Sequence, residues 1–315
     1  MPGNRGFSVS TNGRFVFQPA PKTETQLTWR DRRGQPVGTV GAPGFSGGNL
    51  DVSPDGQQLA YSKLVHAAEP QTDIWLIELA TGRATPLTDD HANDNDPAWS
   101  PDGKYIVFNS GRLGGSSLFL RASDGSGVDV PLAKFEKAEA NRFTVASWSR
   151  ADVLIFNVLN KNGDMDLWTL SMSGDRTRRV FVSSKQSELN GTFSRDGRWV
   201  AYQSNASGRY EIVVRSFPNK DPARTISRDG GRYPRWRGDG KELFFVSPDG
   251  TMMAAGFDQT NGVSQGVPQP LFPTQIKGGD NRPYAVDKYG QRFLLKVGPD
   301  PQMVAVMDWR TLLDR

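Results

Sequence analysis

Apolar residues in this chain come in short runs that either alternate with polar ones or are continuous, and Gly, Pro, Asp or Ser bounds each run. A period of two, with breakers recurring this often, predicts β-strands and leaves no stretch long enough for an amphipathic helix. In PAWSPDGKYIVFNS (97–110) and GTFSRDGRWVAYQS (191–204) two such runs flank an Asp-Gly turn. Glycine there supplies positive φ and aspartate bonds the local backbone. A third run follows, as in DIWLIEL (73–79), SLFLRA (117–122), DLWTLSM (166–172) and EIVVRSF (211–217). After a second polar turn comes a short fourth: ATPLT (84–88), DVPLA (129–133) or ARTIS (223–227).

This unit repeats. SPDG stands at 53–56 and 100–103, and SRDG at 194–197. Weaker copies are STNG (10–13), SRAD (149–152), RGDG (237–240) and DKYG (287–290), with starts 43 to 50 residues apart. Four strands at that period are the signature of a propeller blade. The expectation is an all-β chain, a seven-bladed β-propeller of four-stranded antiparallel blades. Residues 1–315 then form a single domain with blades near 7–41, 44–88, 89–134, 135–184, 185–228, 229–274 and 275–315. The last repeat has only three runs, YAVDKYG, RFLLKV (292–297) and QMVAVMDW (302–309). Six blades, with the terminal pieces merged into one, is therefore the alternative. Trp75, Trp99, Trp148, Trp168, Trp199 and Trp236 fall in equivalent strands and are expected as filler between blades.

Composition narrows the chemistry. The absence of cysteine excludes disulfides, thiolate nucleophiles and cysteine–zinc clusters. The 38 basic and 34 acidic residues, net +4, are interspersed, so no concentrated patch for nucleic acid forms. No apolar run reaches the length of a membrane span and no leader-like segment opens the chain. We expect a monomer, either cytosolic or a piece cut from a longer protein, with its compartment open.

The repeated WSPDG-type turn, the D-I-W third strand, the stretch RYPRWRGDGKELFFVSPDG (232–250) and PQPLF (268–272) resemble the TolB-like, WD-repeat-like β-propeller family across essentially the whole chain. With VMDWRTLL (306–313), they are most similar to propellers fused behind bacterial serine/threonine kinases, although no kinase motif is present here. The resemblance implies a sensing or protein-interaction module. The fold itself hosts many activities.

In a propeller, the starts of the innermost strands and the loops joining second to third strands gather at one mouth of the channel. The acidic connector DDHANDND (89–96) enters there. Asp90, Asp94, Asp96 and His91, with Glu188 and His66, are candidate ligands for a divalent metal: calcium first, zinc or manganese second. In that reading His91 and Asp94 are the catalytic pair of a metal-dependent hydrolase acting on a lactone, ester or phosphotriester. The structural alternative is that these polar groups cap strands. Arg142, Arg232, Arg235, Arg282, Tyr233 and Tyr284 form a basic arc suited to a protein, an acidic peptide or a small anionic ligand. Two motifs are expected to be accidental: G-x-S-x-G around Ser46, which sits in a connector, and Arg-Gly-Asp at 237–239, which is a blade turn.

Overall fold

In the computed structural model the described residues are 7–9, 15–17, 25–45, 47–66, 71–134, 142–219, 221–276, 281–298 and 304–306. Six four-stranded antiparallel sheets are arranged as blades. Blade 1 runs Gly47–Val52, Gln58–His66, Gln71–Glu78, Ala84–Pro86, from inner to outer strand. Blade 2 is Asp94–Trp99, Tyr105–Ser110, Ser117–Ala122, Val130–Lys134, and blade 3 is Arg142–Trp148, Val153–Leu159, Met165–Ser171, Arg178–Val182. Blade 4 is Glu188–Phe193, Trp199–Ser204, Glu211–Ser216, Arg224–Thr225, and blade 5 is Arg232–Trp236, Glu242–Val246, Thr251–Asp258, Val263–Pro273. Blade 6 takes its inner strands, Tyr284–Val286 and Arg292–Val297, from the end of the chain and its outer strands, Gln26–Asp31 and Pro36–Val40, from the beginning.

The all-β propeller stands, and the blade count is six, not seven. Arg292–Val297 pairs without a break against Gln26–Asp31, so the first and last repeats share one blade. Phe7–Val9 and Phe15–Phe17 pair instead with Val304–Val306 in a separate three-stranded sheet. Joining the two ends of the chain removes the open edges that an incomplete blade would leave.

Packing shows the same closure. Each of six apolar clusters joins one blade to the next, including Leu27 and Leu294 of blade 6 against Leu59 and Tyr61 of blade 1. The tryptophans act as expected. Trp99 and Trp199 belong to these clusters, and Trp75, Trp148, Trp168 and Trp236 pack on their margins. Trp99 Nε1 donates to Asp51 O and Trp236 Nε1 to Thr192 O, both at 3.0 Å, tying each inner strand to the preceding blade.

The SPDG turns are self-contained. Ser53 Oγ donates to Asp55 Oδ1 at 2.5 Å and Gly56 N–H to Ser53 O at 2.8 Å, with Gly56 at φ 77°. The turn at Ser100, Asp102 and Gly103 repeats this, and in both the serine hydroxyl is the main reason the aspartate sits below its usual range. The Arg237-Gly238-Asp239 stretch is such a turn too, closed by Arg237 Nε donating to Asp239 Oδ1 at 2.7 Å.

Four inner strands share a second device. Asn49, Asp96, Asn190 and Tyr233 lie in the left-handed region at φ 55° to 61°, each at a shift in strand register. Such a bulge turns the following side chains. Three of the freed N–H groups are met by the preceding blade's second strand: Asp96 by Ser62, Asn190 by Asn157 and Tyr233 by Gln203, at 2.7 to 3.1 Å.

Candidate functional site

The connectors between second and third strands and the starts of the inner strands do gather on one face. Between blades 4 and 5 they leave a cleft of about 670 Å3, lined by Asn205, Arg209, Tyr210, Arg232, Tyr233 and Pro248 among others. Arg232 stacks its guanidinium over Tyr210 at 4.8 Å and meets no carboxylate among the described residues. Arg209 is engaged, at 2.6 Å from Glu211 and 3.8 Å from Asp229. The far wall is a further SPDG turn, residues 247–250, which joins the second and third strands of blade 5 and so lies at the mouth. The six-residue connector 205–210, and this turn, are the mouth elements that sequence reasoning passed over. Both sit in second-to-third connectors, the rule that would have nominated them.

The basic arc divides. Arg232 and Tyr233 reach the cleft, whereas Arg235 and Arg282 occupy the channel. The bulge at Tyr233 lies between the two arginines of that strand and separates their directions. Tyr284 is fully buried and its hydroxyl donates to Tyr233 O at 2.7 Å, with burial pushing its pKa up. The side chains of Arg142 and His66 lie outside the described residues, as does Ser46.

The acidic connector is organised around a residue that the sequence did not single out. Arg112 Nη2 is 2.7 Å from Asp94 Oδ2, Arg112 Nε is 3.9 Å from Asp90 Oδ2, and Nη1 contacts Asp129. Its guanidinium also faces the Phe119 ring at 4.7 Å. Burial pushes Asp94 up, against Ser110, Thr88 and Arg112, which favour its ionised form. Asp96 is buried behind it, and His91 is exposed on the connector. Glu188 opens the inner strand of blade 4, two blades away, and accepts from Ser184 Oγ at 2.7 Å. The six metal candidates are thus spread over blades 1, 2 and 4. Among the described residues no three His, Asp or Glu side chains gather as a metal group.

Comparison with known proteins agrees with this architecture. Residues 25–156 match the model of the TolB beta propeller domain. An uncharacterized peptidase, YuxL, of Bacillus subtilis (strain 168) is 27% identical over 205 residues, 61% of this chain and 28% of that protein. The chain therefore spans little more than a quarter of that relative's length. A solved structure assigned as TolB from Agrobacterium tumefaciens superposes with a TM-score of 0.68 at 17% identity, covering 87% of this chain and 98% of the other. TolB from Acinetobacter baumannii gives a TM-score of 0.58 at 15% identity, covering 91% and 66%. At these identities the likeness is one of fold.

Proposed function

We propose that this propeller, which resembles the TolB beta propeller domain over residues 25–156, is a binding module that engages a protein or peptide at the mouth cleft between blades 4 and 5. The cleft itself carries this reading. Its volume of about 670 Å3 lies within the range of roughly 300–1,000 Å3 that ligand sites occupy. Its walls pair an unmatched guanidinium with two tyrosines, a composition enriched where proteins meet. Arg209 is engaged by Glu211, and Asp249 stands on the far wall, so the charge argument rests on Arg232, whose guanidinium can grip the carboxylate of an acidic segment with two parallel N–H bonds.

The test is an array of short acidic, neutral and basic peptides presented to the purified chain. Acidic peptides should be preferred, and Arg232→Ala should weaken the best of them at least tenfold. Binding indifferent to Arg232, or no preference for acidic sequences, would refute the reading. The metal-dependent hydrolase remains the second reading, with His91 and Asp94 as its working groups. It has less support, because Arg112 already supplies a cation to Asp94. It requires turnover of an ester, lactone or phosphotriester that a chelator and Asp94→Ala both abolish.

A further inference from the structure

The channel holds a second feature, on the face opposite the mouth. A cavity of about 240 Å3 opens among the SPDG turns and is lined by residues from five of the six inner strands, so it lies on the propeller axis. Trp99, Trp148, Trp236 and Phe193 form its apolar wall, while Asp51 and Arg235 stand in its lining. Arg282 lies against this lining, 2% exposed. Its backbone is held by blade 1: Asn49 Oδ1 accepts from Arg282 N–H at 3.2 Å, and Arg282 O accepts from Leu50 N–H at 2.9 Å. Its Nη2 reaches across to Pro97 O of blade 2, and its Nη1 stops 3.8 Å from Asp51 Oδ2, beyond hydrogen-bond distance.

Two guanidiniums thus share one carboxylate, with Arg282 buried and Arg235 and Asp51 half-buried in the lining. Asp51 is also committed elsewhere, since its Oδ2 accepts from Trp99 N–H at 2.8 Å. Among the described residues three buried donors lack a hydrogen-bond partner: Arg282 Nε, Arg282 Nη1 and Arg235 Nη2. An unmet buried donor costs about 1–3 kcal/mol, and more when it is charged. Burial, and then the neighbouring charge of Arg282, bring the pKa of Arg235 down to about 10. The single ion pair of Arg282 with Asp51, at 3.8 Å, offsets one of the two cations, so positive charge and unused N–H groups remain beside a small cavity whose lining includes three tryptophans.

We propose that this cavity is a site for a small organic carboxylate bearing an aromatic or apolar group, its oxygens held by Arg235 and Arg282 and its ring by the tryptophan wall. This site is separate from the mouth cleft and does not depend on the reading given for it. The carboxylate supplies the missing acceptors in the planar geometry that two guanidiniums match. The ring takes the place of water against Trp99, Trp148 and Trp236. Asp51 sets a selectivity rule: a dianion would meet its carboxylate, so a monocarboxylate is preferred.

Phenylacetate is a suitable probe, with benzyl alcohol as its neutral counterpart and chloride at matched ionic strength as control. Calorimetric titration and thermal melting should show saturable binding of phenylacetate, with tryptophan fluorescence changing in step. Benzyl alcohol should bind at least tenfold more weakly. Arg235→Met should lose at least tenfold in phenylacetate affinity while melting no lower than the parent without ligand, since it removes an unbalanced charge. Arg282→Lys, which keeps the charge and loses the fork, should weaken binding by a smaller factor. Arg232→Ala, at the mouth, should leave phenylacetate binding unchanged. Equal effects of phenylacetate and chloride, or binding that survives Arg235→Met, would overturn the proposal; water alone would then satisfy the donors.

Discussion

Asp94 and Glu188 occupy the same place in two blades. Each is the first residue of an inner strand, each is opposite a serine of the second strand, Ser110 and Ser204, and each is almost fully buried. Both are pushed up by burial. Their surroundings nevertheless differ in kind. Asp94 has a guanidinium at 2.7 Å, whereas Glu188 accepts from the hydroxyls of Ser184 and Ser204, has Asp166, another carboxylate, as a neighbour, and feels the charge of Arg215 less than that of Asp166. Asp94, Asp166 and Glu188 are alike in that each keeps one buried oxygen without a hydrogen bond among the described residues. One register position thus holds a carboxyl facing a guanidinium in blade 2 and a carboxyl facing hydroxyls and a second carboxyl in blade 4, and burial raises both. Position in a repeat sets burial, but only a partner from elsewhere in the chain sets charge.

The sharpest way to break the comparison is to make Asp94 resemble Glu188. Arg112→Met keeps the stem that covers Phe119 and removes the cation, leaving the fully buried Asp94 with hydroxyls alone. Breaking a buried pair from one side costs about 3–5 kcal/mol. The lower end is expected here, because Asp94 can take up a proton. For that reason the loss should shrink on acidification, as denaturant midpoints across a pH series would show. A loss below about 0.5 kcal/mol at neutral pH, the usual ceiling for a surface site, would mean that Arg112 does not compensate Asp94.

Removing the other partner sharpens the same point with a smaller effect. In Asp94→Asn the guanidinium still has Asp129, and the amide oxygen can still accept from Ser110 and Thr88. The expected cost is about 1.5 kcal/mol, that of one charge-assisted hydrogen bond. The order of the two variants is the informative result. If Asp94→Asn proved the costlier, the group needing compensation would be the arginine.

These contrasts also explain what could be read beforehand. The blade repeat was legible because its turns are local: Ser53, Asp55 and Gly56 bond one another within four residues. The strands and tryptophan filler follow from period and composition for the same reason. The blade count was legible only as the six-bladed alternative, because it depends on Gln26–Asp31 pairing with Arg292–Val297, a contact no local pattern encodes. The site was legible by residue type and not by arrangement. Arg232 and Arg235, three residues apart, look equivalent in the sequence until a left-handed Tyr233 sends one to the mouth and the other to the channel. Likewise the acidic connector was visible, but Arg112, 18 residues beyond Asp94, carried no mark of its role.

Glu188→Gln is the smallest and most discriminating perturbation. A neutral amide keeps the shape and can still accept from Ser184, so the variant should lie within about 0.5 kcal/mol of the parent at neutral pH, and on the stabilised side if the carboxylate is ionised there. The pH dependence follows from the direction of the shift. A folded pKa above the unfolded one means that Glu188 contributes most below the unfolded value and that this contribution is lost as pH rises through the folded value. The parent should therefore lose stability relative to Glu188→Gln as pH rises from 4 to 7, opposite to the trend of a carboxylate paired with a cation. Denaturant titrations of both proteins over that range measure the difference directly. A cost for Glu188→Gln equal to that of Arg112→Met, accompanied by chelator sensitivity in the parent alone, would mean that Glu188 and Asp166 hold a bound cation where Asp94 has its arginine. The two blades would then be alike, and the metal-dependent reading would gain the site that it now lacks.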